Sequence, residues 1–217
     1  MNTVIRTQLT RDKVDNVIEE TVAYFKLKKV TSFSWWTEAG TQPTDLGKHL
    51  IAHGFTYSEG PPGMAVDLLI LNEDLRTPPG LTIKRVEDAV ALRKWVHTLM
   101  IGFGLSATGV DTFFDLLFSL GFDLPLPNYV GFLNGEPVAV AELFLGAGVV
   151  GIYGVVTIPE ARRRGIGTAL TLAPLREARA MGYRIGILHS SEIGLGVYRR
   201  LGFQECCQMS HYVWAGE

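Results

Sequence analysis

The chain has 217 residues and a formal net charge of −2, with 47% hydrophobic and 19% charged residues. Such a composition can bury a sizeable core in one large domain, or in one domain with a smaller partner; near-neutrality excludes a general nucleic-acid or membrane-surface binder. Two cysteines, adjacent at Cys206 and Cys207, are too close for a disulfide framework, and the opening residues lack the apolar core of a signal peptide, so a reducing, cytoplasmic setting is expected.

Along the chain, apolar residues at Val14, Val17, Ile18, Val22 and Phe25 predict a helix over 11–26. After "FSWW" (33–36), "TDLGKHLIAHGF" reads as a helix with Thr44 and Asp45 as caps and Gly54 at its end, and "GMAVDLLIL" (63–71) as a strand. The polar "NEDLRTPPG" (72–80) is the best boundary. Beyond it come a strand "LTIKRV" (81–86), helices near 88–100 and 111–120, and a hairpin over 129–146 turning at Asn134-Gly135. A further strand, "VVGIYGVVTI", precedes a helix "TALTLAPLREARAMG" that Pro174 should kink near Leu170. Then come a strand "YRIGILHS", a short helix "EIGLGVYRRLGF" and a final strand "HYVWAG". The apolar run 138–158 is long enough to span a membrane, but its valines and its "GAG" read as two buried strands around a turn. These elements describe a mixed α/β sheet with helices on its faces. "LIAHGF" (50–55) and "YRRLGF" (198–203) form an internal echo, with a common Gly-Phe helix stop as the alternative.

The stretch "EARRRGIGTAL" (160–170) carries the chemistry. A strand stops at Pro159 and a helix begins near Gly165 or Gly167, so backbone N–H groups point out of a helix N-terminus where the dipole favours anions. The glycines let that backbone approach a bulky group, and Arg162, Arg163 and Arg164 add forked donors for phosphate oxygens. No Gly-Lys-Ser/Thr comes after it and the third glycine of a dinucleotide fingerprint is missing, so a pyrophosphate in another setting is the expected guest.

Arg162-x-x-Gly165-x-Gly167, within "VVTIPEARRRGIGTAL", resembles the Arg/Gln-x-x-Gly-x-Gly/Ala signature of the GNAT superfamily of acyl-CoA-dependent N-acetyltransferases; "VYRRLGF" is similar to that family's Leu-Tyr-x-x-x-Gly-Phe element. The resemblance covers about 81–214. It implies a GNAT-like α/β fold with an N-terminal partial repeat: 1–79 a degenerate half-repeat, with Leu50 where the second copy has Tyr198, and 80–217 the N-acetyltransferase domain. It further implies acetyl-CoA as acyl donor, without metal, its pantetheine arm held by Val155, Val156 and Thr157 and its pyrophosphate by residues Arg162, Arg163, Arg164, Gly165, Ile166, Gly167 and Thr168. An amine then attacks the thioester directly, and Tyr198 protonates or steadies the departing thiolate. Ser191 stands where the family usually has Asn, a doubtful cofactor contact. Thr157 replaces the usual aliphatic residue two before the proline.

Glu142, in an apolar strand, is a candidate general base for the incoming ammonium, or a carboxylate facing solvent. His189 reads as a satisfied histidine, and His49 and His53, four apart, lack a third ligand for zinc. Trp35 and Trp36 read as core. Asp111, Asp115 and Asp123 read as helix-surface charges, with attraction for a cationic amine as the alternative. The expected acceptor is a small-molecule amine or a peptide, the expected state monomer or homodimer. A non-catalytic acyl-CoA-binding regulatory module is the alternative function.

Overall fold

Residues 2–216 are described by the computed structural model. Among the described residues six α-helices and nine strands succeed one another in chain order: β1 (Thr3–Val4), α1 (Val14–Leu27), β2 (Ser32–Thr37), α2 (Leu46–Ala52), β3 (Thr56–Asp67), β4 (Leu81–Arg85), α3 (Ala89–Gly102), α4 (Val110–Leu120), β5 (Asn128–Leu133), β6 (Glu136–Gly146), β7 (Val149–Thr157), α5 (Ile166–Ala180), β8 (Ile185–His189), α6 (Glu192–Leu201) and β9 (Gln204–Ala215). They pack as two compact units, Met1–Gly63 with Glu205–Glu217, and Met64–Gln204. Compactness thus divides the chain elsewhere than at the polar 72–80 segment.

In the first unit the strands run in the order β1-β2-β9-β3. β1 is parallel to β2, and β2 is antiparallel to β9 from Ser32↔Ala215 to Thr37↔Ser210. The predicted amphipathic helix forms as α1, and its Val14 and Ile18 pack with Phe33, Trp35, Leu50 and Trp214 in an aromatic-rich core. Trp35 is core, as its sequence setting suggests, and its indole N–H donates to Thr7 Oγ1 at 2.8 Å. His49 and His53 both bond to Asp15 Oδ1, at 2.8 and 3.0 Å.

In the second unit the order is β3-β8-β7-β6-β5-β4. The expected hairpin closes through Asn134 and Gly135, both at positive φ (52° and 92°), the geometry a type I′ turn demands. The apolar run 138–158 is two antiparallel strands, β6 and β7; among the described residues no helix is long and apolar enough to cross a membrane. One face of this sheet packs on α5 through residues such as Ala139, Leu143, Ile152 and Leu170, and the other on α3 and α4 through Trp95, Val96, Val130, Val140 and Val156.

Two expectations shift. The strand placed at 63–71 starts at Thr56 and ends at Asp67, whose carboxylate accepts the Leu69 N–H and turns 68–70 into a 3-10 helix. The last strand begins at Gln204, so Cys206 and Cys207 lie on it. The helix α5 extends on both sides of buried Pro174. The start of the 72–80 segment is tied down: Glu73 pairs with Arg176 (2.7 Å) and Arg179 of α5, and Asn72 donates to the carbonyls of Arg200 and Leu201.

Candidate active site

The turn from β7 into α5 is built from backbone strain. Arg163 adopts φ 64° and Gly165 φ 79°; the second suits only glycine without cost, and the first charges a non-glycine residue for the left-handed region. Gly165 is the N-cap of α5 and, lacking a side chain, offers the helix no cap. The first intrahelical bond runs from Ala169 N–H to the Gly165 carbonyl at 3.1 Å, which leaves the N–H groups of Ile166, Gly167 and Thr168 without helical acceptors. No acidic residue occupies this first turn. A Cβ on Gly167 would meet only Thr157 Oγ1 at 3.8 Å, an ordinary contact, so the protein itself does not require glycine there. Space at Gly167 is free for a guest.

The three arginines divide. Arg163 and Arg164 are exposed beside the turn. Arg162 differs from expectation: its guanidinium donates to the Thr157 carbonyl (3.0 Å) and the Gly102 carbonyl (2.8 Å). It pins the end of α3 to the end of β7 and is not turned toward the open helix terminus. The reason is local: α3 lies so close to β7 that a Cβ on Gly102 would come within 2.5 Å of Val156 Cγ2, and its C-terminal carbonyls need a donor there.

β7 itself is bulged. Val140 faces Val156 and Glu142 faces Tyr153, so Gly154 and Val155 together oppose Ala141 alone. Gly154, at φ 57°, allows the extra residue. Trp95 Nε1 of α3 donates to the Ala141 carbonyl at 3.1 Å and holds the opposite side of the bulge. On its other edge β7 pairs with β8 only at Val150↔Gly186 and Gly151↔Ile187. Beyond Gly151 the two parallel strands part. Ile158 N–H donates to the Val138 carbonyl at 2.9 Å, so by alternation Val156 also spends its backbone groups on β6. Those of Val155 face the split, and so does the Thr157 N–H, while the Thr157 carbonyl is taken by Arg162. Val156, expected to offer free backbone beside them, packs its side chain under α3.

Tyr198 of α6 is buried against Phe203, ring centroids 5.8 Å apart, and Gly194 lies so close that a Cβ there would fall 2.8 Å from its ring. Burial raises its pKa above the ordinary phenol value, so it stays protonated at neutral pH. Ser191 is the N-cap of α6: its Oγ accepts the Gly194 N–H at 3.2 Å, and that lone pair is committed within the protein. Glu142 lies on the α3 side of β6 beside the bulge, its Cβ 3.9 Å from where a Gly154 Cβ would be. Burial raises its pKa as well. A carboxylate so placed is a stronger base than an exposed glutamate. His189 is exposed, its ring 6.3 Å from that of Tyr153. Among the described residues no cluster of three potential metal ligands occurs.

An uncapped helix terminus, a parted strand pair, a buried phenol and a half-buried carboxylate therefore lie on successive elements of one unit. Sequence pattern alone did not single out Gly154, Trp95 or Asn128, the cross-strand partner of Glu142. Only Gly154 carried a visible signal, an isolated glycine within an apolar strand.

Comparison with known proteins points the same way. The Acetyltransferase (GNAT) family matches residues 95–203. A GCN5-related N-acetyltransferase from Kribbella flavida superposes with a TM-score of 0.75 at 23% identity, covering 96% of this chain and 78% of that one. A GCN5-related N-acetyltransferase from Sphaerobacter thermophilus gives 0.73 at 16% identity, covering 94% and 69%. A tandem GNAT protein from the clavulanic acid biosynthesis pathway gives 0.71 at 14% identity, covering 95% and 71%. At these identities the superpositions establish the fold alone. No curated protein matches the sequence significantly.

Proposed function

From membership in the acetyltransferase (GNAT) family, to which this chain belongs by a match across half its length, we propose that it transfers an acetyl group from acetyl-CoA to a primary amine by direct attack. Residues 80–217 carry the activity and residues 1–79 are a degenerate half-repeat; the working compartment is the cytoplasm. The observation that carries the reading is the open start of α5: three free N–H groups, glycine at both critical positions and no carboxylate in the first turn. The fit to a pyrophosphate is one of charge and of clearance.

The residues take these roles. The N–H groups of Ile166, Gly167 and Thr168 and the side chains of Arg163 and Arg164 hold the pyrophosphate. Arg162 positions the loop by gripping Thr157 and Gly102. In the split, Val155 offers its carbonyl and Thr157 its N–H to the pantetheine amides, and the Val155 N–H takes the acetyl oxygen. Acetyl-CoA, when bound, supplies the thioester carbon that the amine attacks. Glu142 takes the proton of the incoming ammonium, freeing the nitrogen lone pair. Tyr198 donates a hydrogen bond to the departing sulfur; with its own pKa raised, it steadies the thiolate rather than surrendering its proton outright.

The test is calorimetric titration of the native chain and of Gly167→Glu with acetyl-CoA. Gly167 is chosen because its Cβ direction is open, so the variant should fold. The expected loss is about 100-fold or more, as for removal of several charge-assisted hydrogen bonds. Equal affinity in both proteins, or no binding by the native chain, defeats the reading. Binding without thiol release for any amine would select the non-catalytic module instead.

A further inference from the structure

Resting on that reading, we propose that the acceptor is an apolar primary amine, its ammonium seated between Glu142 and Asn128 and its tail lying over the loop after α4. The two residues are direct cross-strand partners on β6 and β5, so their side chains leave the sheet together on the α3–α4 face. They line a cavity of about 40 Å³. Roughly 30 Å³ is one water's share of liquid volume, so the space takes a headgroup and not a whole substrate.

The chemistry of that cavity is one-sided. Asn128 Oδ1 is buried and has no hydrogen-bond partner. No hydrogen bond or ion pair involving the Glu142 carboxylate occurs among the described residues. A buried acceptor without a donor is costly, and a guest bringing N–H groups satisfies Asn128 Oδ1 together with the half-buried Glu142 carboxylate. A primary ammonium has three. Arg85 also lines the cavity, but its guanidinium pairs at 3.0 Å with Glu177 of α5, on the opposite face of the sheet. Of the charged residues that line the cavity, Arg85 is thus neutralised and the Glu142 carboxylate is not. The acceptor side therefore favours a cation, as the donor loop favours an anion.

The mouth of the cavity selects the group that the ammonium carries. Leu117, Leu120, Phe122, Leu124 and Leu126 surround it. Leu120 is 52% exposed, Phe122 38% and Leu124 37%, and the neighbouring Leu116 and Phe118 are about half exposed. A polar acceptor would leave this rim wet. An alkyl or arylalkyl amine would cover it, gaining up to about fourfold in kcat/KM per buried methylene.

The experiment uses the full chain at saturating acetyl-CoA and monitors thiol release with n-alkylamines from ethylamine to hexylamine, each beside its terminally hydroxylated counterpart. Specificity constants should climb with chain length and fall when the hydroxyl is added. Asn128→Leu should raise KM for hexylamine about tenfold or more while acetyl-CoA affinity stays native, and Leu120→Arg, on the exposed rim, should abolish the chain-length dependence. A flat series, a preference for the hydroxylated amines, or no turnover while acetyl-CoA still binds overturns the assignment. So does a dimer, read by sedimentation, that Leu120→Arg dissociates, since the apolar rim would then belong to a second copy. Failure of acetyl-CoA to bind at all is a different result, and defeats the transferase reading itself.

Discussion

Residues 3–67 and 149–215 share the same order of elements: strand, helix, strand, short helix, strand. Even the details of one turn repeat. Gly54 and Gly202 both stand at positive φ after the short helix, and Phe55 and Phe203 each donate their N–H at 3.0 Å to the residue five back, Leu50 and Tyr198. The two stretches differ where the first strand meets the first helix. In the earlier stretch Asp12 and Asp15 stand at the positive end of α1, and Asp15 is held well below the usual carboxylate range by hydrogen bonds from His49 and His53. In the later one α5 starts with glycine and no acid. The same scaffold thus supplies its own anions at one helix end and leaves the other open. Chemistry is set by the few residues between elements, not by the elements.

The largest test of that contrast is at the carboxylate that only the later stretch is built beside. Glu142→Gln should lower kcat/KM by about 10²–10⁴-fold, the range for loss of a general base, with acetyl-CoA affinity unchanged by calorimetry. An unaltered rate would show that Glu142 merely faces the cavity. Next is the matched pair Leu50 and Tyr198. Tyr198→Phe should slow turnover by on the order of 10²-fold and leave folding nearly intact. Leu50 is fully buried among Phe33, Trp35 and Phe55, so Leu50→Ala should cost about 2–5 kcal/mol of stability in denaturant titration and leave the rate per folded molecule unchanged. If the two variants exchanged phenotypes, the claim that one stretch is structural and the other catalytic would fall. Smaller again is Arg162→Ala. It frees two backbone carbonyls, and the loop it grips should loosen; acetyl-CoA affinity should drop about tenfold, as for one or two hydrogen bonds to a charged group.

The same residues separate what sequence makes legible from what it hides. The helices α1, α3 and α5, the Asn134-Gly135 hairpin and the strand pair β6–β7 all arise from local periodicity and turn chemistry, which neighbours in sequence decide. The Gly165 turn is legible for the same reason. What is hidden depends on partners far along the chain. Arg162 looks like a phosphate ligand until α3 brings the Gly102 carbonyl beside it, 60 residues earlier. The end of β3 at Asp67 depends on a carboxylate that also grips Arg184. Asn128 looks like an ordinary strand-start residue until register sets it opposite Glu142.

The smallest effect is on stability, and it has a sign. Burial raises the Glu142 pKa from its ordinary 4.5, so the folded chain binds that proton more tightly than the unfolded chain. Below the ordinary value both states are protonated and the group is neutral to stability. As pH rises through the window up to the folded pKa, the native state must hold a desolvated charge, and stability falls. Glu142→Gln removes that burden. The variant should therefore melt above the native protein at pH 7, and the gap should close as the buffer is taken below pH 4.5. Asp15, in the earlier stretch, gives the opposite slope. Its pKa is lowered by His49 and His53, so the stability it contributes is present at neutral pH and is lost on acidification. Asp15→Asn should melt below the native chain at pH 6 and approach it in acid. Two carboxylates with opposite slopes are what different duties predict: one is held poised for a proton, the other is satisfied by its neighbours.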